Sequence, residues 1–320
     1  MGSRILNVAL TLALSGALGA VQSGCTTNAA TGDRFFTTLS AADEIALGAQ
    51  AQPQMVEEFG GRVSNTQLNS YINNIGRTLA SKTEKSGPSL PWEFTLLDTS
   101  VINAFALPGG KVFISRGLVE RMNNEAQLAG VLGHEIGHVT AQHTARRIGQ
   151  ATLIQGGLSI VGAAVSAGPE GGSVAEAGQL LLPALNMGGQ VVILKFGRDE
   201  ESQADSLGLR YMTRAGYNPS GQLQVMEILR AASGDRGGGG VEFLQTHPLP
   251  ETRIKRLNDE IRATYSAQAA DTSTLHQDRF QRECLSVLRR LPPPTQKAQA
   301  QSRALMAQAG VVVCACGNTH

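Results

Sequence analysis

At 320 residues, with 42% hydrophobic but only 4% aromatic content, the chain is long enough to bury a sizeable core built mainly on Leu, Val, Ile and Ala. Lys plus Arg (27) nearly cancel Asp plus Glu (26), leaving +1. That balance lacks the basic footprint of a nucleic-acid binder and sets that class aside.

The first 24 residues read as a processing signal. "MGSR" supplies a short positive region, "ILNVALTLALSGALGAV" a charge-free apolar run, and small residues follow in "QSGCTT". Gly24-Cys25 is similar to the lipobox at which bacterial lipoproteins are cleaved and acylated on cysteine; Gln22 stands where that pattern has an aliphatic residue. The expectation is a signal peptide over 1–24, a membrane anchor through a lipid on Cys25, and a Thr-rich tether over 25–39. An ordinary secretory signal or an uncleaved anchor are the alternatives, and all three export the chain. Thr26 after the cysteine resembles the bacterial sorting signal for the outer membrane, so the expected place is the periplasmic side of that membrane. With Cys25 modified, Cys284, Cys314 and Cys316 are an odd set. Cys314 and Cys316 lack a second ligand pair for zinc, so these cysteines read as structural or incidental.

Ser40, three residues before Asp43, makes a capping-box-like helix start. Leu68, Ile72, Ile75 and Leu79 then repeat at helical spacing, and "SGPSLP" breaks the chain at 86–91. Beta-formers in "WEFTLLD" and "VINAFALPGGKVFISRGL" surround Pro108-Gly109-Gly110, predicting a small antiparallel sheet with "NAFAL" and "KVFIS" as neighbours. Asn124 and Gln127 open another helix, with Leu128, Val131, Leu132, Ile136 and Val139 as its buried stripe.

That helix carries "VLGHEIGHVTAQH". With six His in the chain, a chance His-Glu-x-x-His has odds below about one per cent. At about 100° per residue, His134 and His138 project within about 40° of each other, and Glu135 points beside them. His143 lies about 140° away from His138, which suits a structural hydrogen bond better than metal binding.

Residues 151–193 hold "ATLIQGGLSIVGAAVSAG", read as flexible apolar helices packed over the domain and able to plug its site, with a membrane-facing hairpin as the alternative. "RDEESQADSLGLRYMTRAGYNP" predicts a helix ended by Gly216 and Pro219. Its Glu201 and Asp205 share a face four residues apart. "SGQLQVMEILRAAS" and "THPLPETRIKRLNDEIRATY" predict two more, the latter on Ile254, Leu257 and Ile261. A domain over 40–265 is followed by a polar tail, 266–320, without an assigned role.

A zinc hydrolase needs three protein ligands and one open position. Two imidazoles share a helical face, Glu201 could complete a His-His-Glu set, and Asp205 could accept the outer ring N–H of a ligand histidine.

"NAFALPGG", "GHEIGHV", "EESQADSLGL" and "THPLPETRI", in that order over roughly 40–262, resemble the blocks of family 48 of the gluzincin zinc metallopeptidases. That family holds the HtpX-, BepA-, LoiP- and Oma-like proteases and is related to the CAAX prenyl endopeptidases; the exported, periplasmic lipoprotein branch is the nearer likeness. The resemblance implies an α+β fold: a mostly helical gluzincin core with a small antiparallel sheet whose edge strand, Asn103, Ala104, Phe105 and Ala106, takes extended polypeptide substrates by backbone pairing. It implies one Zn2+ per chain on His134, His138 and Glu201, with Glu135 as the base. His247 would stand near the ion, either stabilising an oxyanion or occupying the open position. Arg253 would orient the site or bind substrate. The implied function is a zinc endopeptidase for unfolded or misfolded exported proteins, in periplasmic and outer-membrane quality control. The alternative is a chaperone or assembly factor for outer-membrane proteins, and Glu135 argues against it because a pure binder needs no base. Protein partners beyond substrate are left open.

Overall fold

Ser40 caps the first long helix, α1 (Ala41–Glu58), accepting from the Asp43 N–H while the Asp43 carboxylate accepts from the Ser40 N–H. Asn65 caps α2 (Thr66–Ala80) in the same sense. Its Leu68, Ile72 and Leu79 are fully buried, as the spacing predicts. The structure is a computed structural model and describes residues 24–150, 195–234, 243–248 and 251–294.

Three strands follow, β3 (Glu93–Leu97), β4 (Ala104–Leu107) and β5 (Lys111–Ser115), in the order β3-β5-β4. β4 and β5 are the predicted antiparallel neighbours, with Phe105 opposite Phe113. Their turn needs glycine, since Gly109 has φ 73° and a Cβ there would meet Ile45 Cα at 2.5 Å. The expected all-antiparallel sheet is corrected: β3 runs parallel to β5. The Pro-Gly-Gly signal fixes only the β4–β5 hairpin, whereas the direction of β3 depends on how the chain returns through 98–103. The outer side of β3 is closed by Val63 N–H to Leu96 O (2.9 Å) and Asp98 N–H to Gly61 O (2.9 Å). β4 is thus left on the other edge.

Helix α3 (Glu125–Thr140) crosses α4 (Arg198–Arg214) through small residues. A Cβ on Gly137 would stand 2.8 Å from the Ala204 carbonyl, and one on Gly208 would stand 3.0 Å from the His134 nitrogen. Glycine inside a helix costs about 1 kcal/mol of propensity. Here it permits a close approach that aims the Glu201/Asp205 face of α4 at the histidine face of α3. Helix α5 (Ser220–Gly234) covers the start of α3, where a Cβ on Gly221 would fall 2.4 Å from Ala126. Helix α6 (Glu251–Thr264) buries Arg253, Leu257 and Ile261.

The packed body reaches past both expected boundaries, 40 and 265. The expected tether carries a hairpin, β1 (Gly24–Thr27) with β2 (Arg34–Thr37), pairing Cys25 with Phe36. Buried Asn28 holds it down: its Oδ1 accepts from Ala30 and Thr31, and its Nδ2 donates to Thr140 O at 2.8 Å. Phe35 lies under the Arg146 guanidinium at 4.4 Å. At the other end three abutting helical pieces, Gln277–Phe280, Gln281–Leu285 and Ser286–Leu288, bury Phe280, Cys284, Leu285 and Leu288 in the main core. Arg279 pairs with buried Glu125, and buried Arg116 donates to Pro292 O at 2.6 Å and Leu291 O at 3.3 Å, capping the carbonyl end of this helical run as a cation should. Cys284 is a free thiol, pushed up to about 12 by burial. The leader, residues 151–193, Cys314 and Cys316 lie outside the described residues. Among the described residues no helix is long and apolar enough to cross a membrane.

Candidate metal centre

The glycine crossing lets Glu201 reach both motif histidines. Nε2 of His134 and Nε2 of His138 stand 3.0 Å apart, and Glu201 carboxylate oxygens lie 3.5 Å from the first and 3.4 Å from the second. A short helical turn, Phe243–Thr246, delivers His247. Its Nδ1 lies 2.9 Å from Glu201 Oε1 and 3.4 Å from His134 Nε2. Donor atoms of all four residues, every one buried, lie within 4.8 Å of one another. Tetrahedral ligands about 2.0–2.1 Å from an ion stand about 3.3 Å apart, and the His134, His138 and Glu201 separations of 3.0, 3.4 and 3.5 Å are close to that.

The tautomers agree with the spacing. Nδ1 of His134 lies 2.9 Å from Asp205 Oδ1, and Nδ1 of His138 lies 2.9 Å from Nδ1 of His143. Both Nε2 atoms therefore turn to the centre. Two imidazole lone pairs at 3.0 Å need a cation between them, either a metal ion or a proton. In the metal-free site that proton sits on His134: burial opposes the charge, but Asp205 and Glu201 outweigh burial and push the imidazole up to about 10. Burial holds His138 well below the ordinary range, so it accepts. Metal uptake must displace the proton.

Glu135 is wholly buried, and neither of its carboxylate oxygens has a hydrogen-bond partner; His247 Nε2 comes no closer than 3.7 Å. Burial pushes its carboxyl up, against the pull of His247 and His134. Such a group costs stability and is retained where chemistry uses it. An ion with a bound water would satisfy it, so the residues fit the metal that the sequence implies.

Asp205 stands where the i,i+4 spacing put it. Burial alone would raise its carboxyl, but Arg253 and His134 hold it below the usual range. Arg253 is committed to the acids: Nε and Nη2 donate to the two Asp205 oxygens at 2.8 Å each, Nη1 donates to Pro248 O at 2.7 Å, and Nη1 lies 2.5 Å from Glu201 Oε2. Of the two expected roles for Arg253, orienting the site fits and substrate binding does not, because every nitrogen is occupied and the side chain is buried. In the expected substrate strand, Asn103, Ala104 and Phe105 are buried, and Phe105 packs between Phe59 (5.0 Å) and Phe113 (4.7 Å). Only the backbone of that strand, with the partly exposed Ala106, can serve a substrate. A cleft lined by Ala106, Leu107, Pro108 and His138 borders it. The Phe243 N–H donates to Ile102 O at 3.1 Å, pinning the His247 segment beside the start of the strand.

His143 makes the structural hydrogen bond expected of it, and its partner is the ligand histidine itself. An unbroken helix would carry it away from His138. Gln142, at φ 56°, breaks the helix and turns His143 back, with ring centroids 4.9 Å apart. Burial holds the His143 imidazole down, to about 4. The side chains that hold the kink carried no signal in the sequence: Gln142 Nε2 donates to Glu44 Oε1 at 2.6 Å, and Asn28 Nδ2 donates to Gln142 Oε1 at 3.2 Å. Nor did the rings that pack the histidines, Phe196 on His138 (4.0 Å) and Phe243 on His247 (4.5 Å).

Glu44 gives a pH signature. Burial raises its carboxyl to about 7, the Gln142 bond offsetting only part. Since the folded value lies above the unfolded one near 4.5, its contribution is fully present below about 4.5 and is lost as pH rises through about 7. Melting curves between pH 5 and pH 8 are expected to show a loss of up to about 3 kcal/mol in the parent that Glu44→Gln lacks. Parallel pH profiles for the two proteins would refute this.

The sequence profile of Peptidase family M48 matches residues 66–261. The chain is 29% identical over 228 residues to the mitochondrial metalloendopeptidase OMA1 of Schizosaccharomyces pombe, covering 71% of this chain and 63% of that protein. It is 32% identical over 225 residues to the beta-barrel assembly-enhancing protease of Escherichia coli K12, covering 68% and 44%. To OMA1 of Saccharomyces cerevisiae it is 33% identical over 174 residues, covering 53% and 47%. The chain thus spans less than two thirds of the length of each of these relatives.

Proposed function

This chain belongs to peptidase family M48, and from that premise we propose that it is a zinc-dependent endopeptidase acting on unfolded or misfolded exported proteins at the bacterial outer membrane, held there by a lipid on Cys25. The observation that carries the reading is the convergence of four buried donors beside a carboxylate without a hydrogen-bond partner. The envelope part is supported by the leader and by the name of the Escherichia coli relative.

His134, His138 and Glu201 would hold zinc, which would supply Lewis acidity and a water acidic enough to react near neutrality. Glu135 would take the proton of the attacking water and pass it to the leaving amine, a role its raised carboxyl suits. The edge of β4 that pairs with no other strand among the described residues binds the peptide as an added strand, which asks for extended substrate and little sequence. Asp205 and Arg253 keep His134 and Glu201 in place. The test is cleavage of a reduced, alkylated protein by the full chain in detergent. Cleavage that a chelator abolishes and zinc restores is expected; cleavage indifferent to the chelator overturns the reading.

His247 favours a second, compatible state. A catalytic zinc keeps one position open, whereas here a fourth protein donor stands 3.4 Å from the His134 donor and 2.9 Å from a Glu201 oxygen. The resting enzyme is held off by His247, and a chain locked in that state would act only as the binding or assembly factor. His247→Ala is expected to raise turnover of a short peptide roughly tenfold, the effect of about 1.4 kcal/mol less competition for the open position. Turnover lowered in parallel with zinc content would show that His247 serves the active enzyme instead.

A further inference from the structure

We propose that His143, Gln203 and Asp33 set the tautomer of His138, so that the N-terminal hairpin is part of the metal site. The inference rests on the zinc reading above and concerns which residues of this chain make that site competent.

Each link has one permitted direction. Asp33 can only accept, so the Gln203 amide nitrogen faces it, Nε2 to Oδ2 at 2.8 Å. The amide oxygen must then face inward, where it accepts from His143 Nε2 at 2.9 Å. His143, buried between two neutral partners, has placed its single proton, and its Nδ1 is a lone pair. The ring nitrogen of His138 facing that lone pair at 2.9 Å must carry hydrogen. His138 Nε2 is thereby left unprotonated among the donors.

The two ligand histidines are held differently. Asp205 fixes the tautomer of His134 directly, because a carboxylate beside Nδ1 admits only N–H. His138 has no carboxylate at Nδ1, and the histidine that faces that atom can donate or accept with equal ease. The polarity of that link must come from elsewhere, and it comes from Asp33, half-exposed on the turn between β1 and β2. The hairpin is docked for this purpose by Asn28 Nδ2 to Thr140 O at 2.8 Å, Arg146 to Thr31 Oγ1 at 3.3 Å and Arg210 to Ala30 O at 3.2 Å. A donor in place of the Gln203 oxygen would reverse every arrow and put the His138 proton on the atom that binds metal.

Two substitutions at one partly exposed position test the chain with opposite signs. Gln203→Glu keeps an acceptor toward His143; Gln203→Lys offers only donors. Zinc affinity by chelator competition and the tautomers of the imidazole nitrogens in the zinc-free protein, read by heteronuclear spectra, are the measurements. Gln203→Lys is expected to weaken zinc about 10–100-fold and move the His138 proton to Nε2, while Gln203→Glu stays within about threefold of the parent. Asp33→Ala should fall between them with an unchanged melting temperature. Equal affinity in all variants, equal loss in both Gln203 variants, or a parent His138 already carrying hydrogen on Nε2 would overturn the proposal. A parent that binds no zinc would instead overturn the metal reading.

Discussion

Glu135→Gln is expected to abolish peptide hydrolysis while leaving the protein better folded. The loss in turnover should be about 10²–10⁴-fold, the range for removing a positioned base, with zinc content at the parent level because Glu135 is not among the converging donors. The stability gain follows from the same burial. The parent carboxylate sits in a wholly enclosed place with no hydrogen bond to either oxygen, and its ionised form is disfavoured there. Burial raises the carboxyl above its unfolded value, so the parent is most stable in acid and loses that contribution as pH rises. An uncharged amide of the same shape escapes the loss. Denaturant melts at pH 8 should show the variant more stable by about 1–2 kcal/mol, with the gap closing toward pH 5. A structural acid would give the opposite pair: activity retained and stability lost.

What could be read from the sequence divides by the range of the determining contact. His134, His138, Glu201 and Asp205 were legible because each pair lies four apart on one helix, and helical geometry alone aims such a pair. The meeting of the two pairs was not local, yet it left a mark. The glycines that precede each motif histidine, Gly133 and Gly137, are positions at which a Cβ would run into the α4 backbone. The hairpin over 24–37 was not legible because Asn28, Phe35 and Asp33 gain their partners from residues more than a hundred positions away. The parallel β3 and the Gln142 kink were hidden for the same reason. A glutamine at positive φ carries no pattern of its own, and the Glu44 and Asn28 side chains on either side of it hold the bend. His143 therefore read as off the ligand face, although that bend is what brings it to the ligand.

Arg253 is the residue whose loss should cost the fold most. It is the fixed cation against two buried carboxylates, Glu201 and Asp205, and it spans both Asp205 oxygens, Glu201 and the Pro248 carbonyl with one planar group. Replacing such a pair with an apolar one can be neutral, but removing one partner alone leaves charge stranded in the interior and costs about 3–5 kcal/mol. Arg253→Met fills the volume and removes the charge, so metal-free protein should melt roughly 10 °C lower. Zinc supplies two positive charges a few ångströms away, so the deficit should shrink sharply in the loaded protein. Arg253→Lys separates charge from geometry: a single ammonium cannot reproduce the fork, and it should recover only part of the loss. If the Met variant melted with the parent in the absence of metal, Glu201 and Asp205 would have to be protonated there, contrary to the lowered values that their neighbours impose. If it melted lower by the same margin with and without zinc, Arg253 would be serving the packing of α6 rather than the charge of the site.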